Sequence, residues 1–299
     1  MATFEKAPSP EQQVRLITWY IPRSTSTVLS KCLGSVEDTK VFLGMFGNAM
    51  QHDAEKTEDG AVNVSEIGQR LNAFFEVTDV SGIDASQFTY QRIKEQLEEA
   101  HPEKRFIFAK DIAFAITGHP EFIPRGYRHL FLIRHPLKVF VSIKKVLMQI
   151  VKDVSPEELR IDELPPNFLP KGFGYKETFE LFEHIKKEID PEAMIVDSDD
   201  LLQDPKGILS AVLKDIGLPF DEKMLHWESG DAVNKDWVIP REVLQADTKV
   251  NFYKKALDST CFQKPNALPD RASISPDILR VVDASMPYYE KMYSQRLSP

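Results

Sequence analysis

The sequence predicts an α/β fold built on a mainly parallel sheet. Short apolar runs rich in β-branched and aromatic residues recur along the chain, segments of helical period separate them, and turn residues punctuate the junctions. The 299 residues, 42% hydrophobic and 28% charged, suffice to bury a sizeable core in a single domain, 1–299.

Arg15–Ile21 (RLITWYI), stopped by Pro22, reads as a buried strand, and Thr27–Leu33 as the helix entered through Ser24, Thr25, Ser26 and Thr27. Lys40–Phe46 (KVFLGMF) reads as a second strand, and the polar, acidic stretch Gln51–Gly60 as an exposed loop. Helices are expected over Glu66–Phe75 and Thr89–Ala100, and strands over Arg105–Lys110 (RFIFAK) and His129–Ile133 (HLFLI). Arg134-His135-Pro136 ends the latter, and helical periodicity resumes over Leu137–Ile150. Pro156, Pro165, Pro166 and Pro170 break up the next stretch, a candidate lid at 153–173 that is Pro-rich from Asp153 to Pro170. Gly174–Ile189 reads as helix, Ala193–Val196 as a short strand, Pro205–Ile216 as a helix stopped by Gly217, and Pro276–Tyr293 as the closing helix.

Lys and Arg total 37 against 46 Asp and Glu, a formal charge of −9, which argues against a general nucleic-acid binder. Cys32 and Cys261 allow no disulfide framework, no apolar run is long enough for a membrane span, and Glu5, Lys6, Pro8 and Pro10 stand where a signal peptide needs an apolar core. A cytoplasmic protein with neither nucleic-acid partner nor membrane insertion is expected, with homo-oligomers left open. No H-E-x-x-H and no Cys/His cluster of zinc spacing occurs, so no metal is expected. The 19 Phe read as core, Cys32 as a core residue whose thiol a nearby helix N-terminus could acidify, and Lys144-Lys145 and Lys186-Lys187 as solvated helix faces.

Two places carry chemistry. In the first, Pro22-Arg23-Ser24-Thr25-Ser26-Thr27 joins a strand to a helix, where unpaired amides and the positive end of the helix dipole suit a phosphate. It is not a Walker A loop, since the turn has neither its glycines nor its lysine. A plain Ser/Thr cap after a core strand explains the turn equally well. In the second, Arg134 ends a strand and Ser142 lies two turns into the next helix, so a guanidinium fork and a hydroxyl can meet at one sheet edge. Alone, the pair is more simply an Arg on an acidic neighbour and a Ser on a solvated face.

Taken together, the two motifs resemble the phosphosulfate-binding elements of the sulfotransferase family. There a P-[KR]-[SG]-G-[ST]-[ST] loop holds the 5′-phosphosulfate and an R-x7-S element the 3′-phosphate. Asp199-Asp200-Leu201-Leu202-Gln203-Asp204-Pro205 and Gly217-Leu218-Pro219-Phe220, ahead of Trp227, add a third likeness, so the resemblance runs from Arg15 to Trp227. It implies a P-loop NTPase-like sulfotransferase fold and 3′-phosphoadenosine 5′-phosphosulfate (PAPS) as co-substrate. It also implies transfer of a sulfuryl group to a hydroxyl or amine of a small-molecule acceptor.

The resemblance assigns roles. The amides of Ser24, Thr25, Ser26 and Thr27 would cradle the 5′-phosphate with the Ser26 and Thr27 hydroxyls. Arg23 would stabilise the bridging oxygen as the sulfuryl group leaves, Lys110 would contact the sulfuryl oxygens, and Arg134 and Ser142 would bind the 3′-phosphate. Three departures stand out. Thr25 replaces the loop glycine, so the backbone there is expected to avoid a glycine-only conformation. Val28 replaces an adenine-stacking Trp, and Ile112 stands where many members have a His base. Asp111, His52 and His119 are the candidate replacements for that base, although Asp111 reads equally as a helix cap or a partner of Lys110. His101 reads as a helix-end cap. The missing His and Thr25 motivate an alternative, an inactive nucleotide-binding or interaction protein, and a kinase on the related fold is a weaker third reading.

Overall fold

The computed structural model describes residues 13–56, 89–166, 168–230, 237–238 and 254–298. Five strands form one parallel sheet: β1 (Val14–Tyr20), β2 (Thr39–Leu43), β3 (Phe106–Ile112), β4 (Arg128–Ile133) and β5 (Met194–Asp197), in the spatial order β2-β3-β1-β4-β5. The helices are α1 (Ser26–Leu33), α2 (Met45–Lys56), α3 (Tyr90–Glu98), α4 (Pro136–Ile150), α5 (Tyr175–Glu188), α6 (Ser198–Gln203), α7 (Pro205–Asp215), α8 (Lys254–Leu257) and α9 (Pro276–Tyr293). A parallel sheet needs both faces covered, so its strands are near-continuous apolar runs, as the sequence shows.

Period-two alternation sends successive side chains to opposite faces. Leu16 and Tyr20 of β1, with Phe106 and Phe108 of β3, face α1 and α7 and pack on Leu29, Leu33, Ile208 and Leu209. Ile17 and Trp19, with Ile107 and Ala109, face the opposite layer and pack on Phe46 of α2, Phe140 of α4, Phe182 of α5 and Val281 of α9. Lys110 and Asp111 are neighbours in β3, so they fall on different faces; Lys110 lies opposite Thr18 and Asp111 opposite Trp19 in the pairing with β1.

Several expectations need correcting. β2 ends at Leu43. Gly44, at φ 68°, turns the chain so that Met45 and Phe46 open α2, and this helix takes in 51–56, read from the sequence as loop. The expected helix over Glu66–Phe75 lies outside the described residues. Lys144 is buried, not solvated: its Nζ donates to Asp277 Oδ2 at 2.8 Å, and the same oxygen accepts the Ile161 amide at 3.0 Å. This joint ties α4, α9 and the Pro-rich stretch together, with Leu159 and Ile161 fully buried. His101 is a buried residue whose carbonyl accepts from Gln13 and Lys104, beyond the end of α3.

Candidate anion-binding site

The strand-to-helix turn after β1 sits at the carboxyl edge of the sheet, with the ends of β3, β4 and β5 beside it. Two of its residues occupy the left-handed region, Arg23 at φ 67° and Thr25 at φ 61°, ψ 17°. Thr25 therefore adopts the conformation it was expected to avoid. For a β-branched residue this costs of order 1–3 kcal/mol and persists only where the surroundings enforce it. Here they do so through consecutive carbonyls. Arg134 donates from NH1 to the Arg23 carbonyl at 2.9 Å, and Ser198 Oγ lies 2.6 Å from the Ser24 carbonyl. The Thr25 hydroxyl donates to that same Ser24 carbonyl at 2.5 Å, so Thr25 caps α1 through its backbone and not its side chain.

The Ser24 amide donates to the Ile21 carbonyl at 3.2 Å, which removes it from the expected cradle. The amides of Thr25, Ser26 and Thr27 lie at the helix start, where no intrahelical acceptor exists. Lys110 reaches the same point from β3. Its Nζ is 3.4 Å from Ser26 Oγ and 3.5 Å from Thr27 Oγ1, and 4.7 Å above the Tyr20 ring. Burial lowers its pKa to about 8, against the opposing pull of Asp111.

Arg23 Nε donates to Ser142 Oγ at 3.1 Å, so the loop and the second motif are in direct contact. Arg134 lies within 3.5 Å of Asp199 Oδ1 through Nε, and Lys138, one turn into α4, lies 2.5 Å from Asp199 Oδ2. The carbonyl of Arg134 accepts from the buried Tyr175 hydroxyl at 2.6 Å. Arg23, Lys110, Arg134, Ser26, Thr27 and Ser142 are thus drawn to one edge of the sheet.

Asp111 goes elsewhere. Its Oδ2 accepts the Phe46 amide at 2.6 Å, and its Oδ1 accepts the amides of Gly47 at 3.0 Å and Ile112 at 2.9 Å. Burial raises its pKa to about 6 despite these bonds, and both oxygens are spent anchoring the start of α2, the cap reading of the sequence. His52 lies on α2, its side chain outside those described. His119 stacks on Tyr90 with ring centroids 4.3 Å apart. Cys32 is the core residue read from the sequence, and burial raises its thiol to about 12, against any acidifying pull of the nearby helix start. Sequence reasoning assigned no role to Ser198, Lys138 or Asp199. Lys138 lies between Arg134 and Ser142 and Asp199 opens the acidic third likeness, whereas nothing local distinguishes Ser198 from any first residue of a helix.

Residues 189–296 match the family model of a sulfotransferase domain. Over this stretch the chain is similar to sulfotransferase domains. That match covers β5 and α6 to α9, whereas the loop after β1 and the Arg134–Ser142 motif lie ahead of it. "Branched-chain-amino-acid aminotransferase-like protein 1" of Arabidopsis thaliana is 26% identical over 284 residues, 93% of this chain and 41% of that protein. The similarly named protein 2 of the same plant is 27% identical over 168 residues, 56% of this chain and 25% of its own length. The chain therefore spans about two-fifths or less of these curated relatives. Among solved structures, the sulfotransferase domain of the Synechococcus PCC 7002 olefin synthase superimposes with a TM-score of 0.47 at 19% identity, over 94% of this chain and 95% of that one. Among the described residues, no group of three His, Cys, Asp or Glu is placed to hold a metal ion, and no helix is long and apolar enough to cross a membrane.

Proposed function

We propose that this chain transfers a sulfuryl group from 3′-phosphoadenosine 5′-phosphosulfate to a hydroxyl or amine of a small molecule. The observation that carries the reading is the contact between the two motifs, with Arg23 bonded to Ser142 through its side chain and to Arg134 through its carbonyl. The donor set suits a nucleotide carrying anions at both ends. Helix-start amides, two hydroxyls and a buried ammonium face one position, and a guanidinium and a third hydroxyl flank it.

The donor supplies a sulfuryl group activated by its link to phosphate. The acceptor oxygen or nitrogen forms a bond to sulfur as the bond from sulfur to the 5′-phosphate oxygen breaks, the bonding pair leaves with adenosine 3′,5′-bisphosphate, and the acceptor's proton passes to water. For such an in-line transfer the protein's work is positioning and charge stabilisation. Arg23 and Lys110 offset charge growing on the bridging and sulfuryl oxygens, while the loop amides hold the 5′-phosphate. Asp111 is occupied as a cap, so an acceptor with an acidic hydroxyl suits this site best. The free state of both cysteines fits a cytoplasmic setting.

The test is incubation of the protein with radiolabelled donor and a panel of phenols, alcohols and amines, beside calorimetry with adenosine 3′,5′-bisphosphate. Label transfer and bisphosphate binding that is weakened by Arg134→Ala are expected. Binding without transfer to any acceptor would favour a nucleotide-binding protein that has lost catalysis. Absence of both would end the proposal.

A further inference from the structure

We infer that Ser198 is a positioning residue that holds the anion-binding loop in its strained form; this rests on the donor reading above. Ser198 is fully buried at the start of α6, far from the loop in sequence. Its Oγ lies 2.6 Å from the Ser24 carbonyl and 2.8 Å from the Ile133 carbonyl, the residue before Arg134. One hydroxyl thus links the tip of the first motif to the root of the second.

The consequence follows from peptide geometry. In a planar trans peptide the carbonyl and the amide point in opposite directions. Drawing the Ser24 carbonyl toward Ser198 turns the Thr25 amide the other way, into the space in front of α1, and keeps a partially negative oxygen out of an anion site. Without that acceptor bond, the left-handed conformation of Thr25 at φ 61° loses one of its restraints, and the loop can relax with the carbonyl turned inward. Asp197 orients the clamp from behind. Its Oδ1 accepts the Asp199 amide at 2.8 Å at the start of α6, and its Oδ2 accepts the Tyr289 hydroxyl of α9 at 3.1 Å.

Ser198 acts on the 5′-phosphate subsite, which adenosine 5′-phosphate and adenosine 3′,5′-bisphosphate share. Calorimetry on wild type, Ser198→Cys and Ser198→Ala with both nucleotides separates this role from general damage. Ser198→Ala should weaken both ligands by the same factor, up to about tenfold for one neutral hydrogen bond, leaving the ratio of the two affinities unchanged. Ser198→Cys, a weaker donor of similar size, should fall between, and it carries the test alone if the alanine variant does not fold. Equal binding by wild type and the folded variants overturns the inference, as does a loss confined to the bisphosphate, which would place the defect at the 3′-phosphate. A wild-type protein that binds neither nucleotide sinks the donor reading itself and this inference with it.

Discussion

Burial sets two demands on Lys110 at once. Loss of water favours the neutral amine and lowers its pKa to about 8, while the place it occupies, against two hydroxyls at a helix start, is useful to an anion only if the ammonium is charged. An incoming phosphate restores the charge, so anion binding above pH 8 draws a proton from solution. Affinity for adenosine 3′,5′-bisphosphate should accordingly be flat from pH 7 to near 8 and fall with further rise in pH, by up to about tenfold per unit. Calorimetry in buffers of different ionisation heat reads the proton uptake directly. Lys110→Met should bind more weakly with no alkaline fall; a wild-type affinity constant to pH 9.5 would refute the assignment. The residue types of this site were legible because strand-end cations and helix-start hydroxyls leave a local pattern. The role of Asp111 stayed open in the sequence because adjacent strand residues face opposite ways, and only the start of α2, read from the sequence as the end of a strand, shows which side the carboxylate serves.

At the scale of elements, polar joints at their ends fix how the helices meet the sheet. The Lys144–Asp277 pair binds α4 to α9, and Asp277 takes the Ile161 amide as well, so one carboxylate anchors two helices and the Pro-rich stretch. Burial alone would raise the Asp277 pKa, but the Ile161 amide and the Lys144 ammonium hold it down to about 2. Asp277→Ala would strand a buried ammonium and a buried amide together. The expected loss is about 3–5 kcal/mol, seen as a lower urea midpoint, whereas a joint substitution of Lys144→Met and Asp277→Leu should recover much of it. An unchanged midpoint in the single variant would show that the joint bears no weight. The five strands were readable because each is a short apolar run between breakers, and α4, α5 and α9 because their apolar period is long. Lys144-Lys145 misled because a lysine pair on a helix is ordinarily solvated, and its partner lies 133 residues away.

Across the whole molecule, charge and burial act in opposite senses. A net charge of −9 discourages polyanions, yet Arg23, Lys110 and Arg134 gather at one edge, where a single small anion would meet a local positive field. The core beneath that edge carries its own titration. His129 is fully buried in β4, its Nδ1 accepts from the Trp19 indole at 3.0 Å, and burial lowers its pKa to about 4. The unfolded chain takes up this proton near pH 6.5 and the folded chain only near 4, so the unfolded state binds more protons between those values. The His129 contribution to stability is therefore present above pH 6.5 and is lost as pH falls toward 4, at roughly 1.4 kcal/mol per unit. Asp111 and Asp197, both raised to about 6 by burial, slope the other way, since the folded state holds their protons more tightly than the unfolded chain does. Wild type alone would thus show a muted acid response, and the histidine emerges only by difference. His129→Gln keeps an acceptor for Trp19 and removes the titration. Urea denaturation at pH 7, 6 and 5 should find the variant gaining on wild type steadily as the pH falls. Parallel curves would mean that protonation of His129 is not linked to unfolding, and that the sheet admits a charged ring where its packing leaves no partner for one.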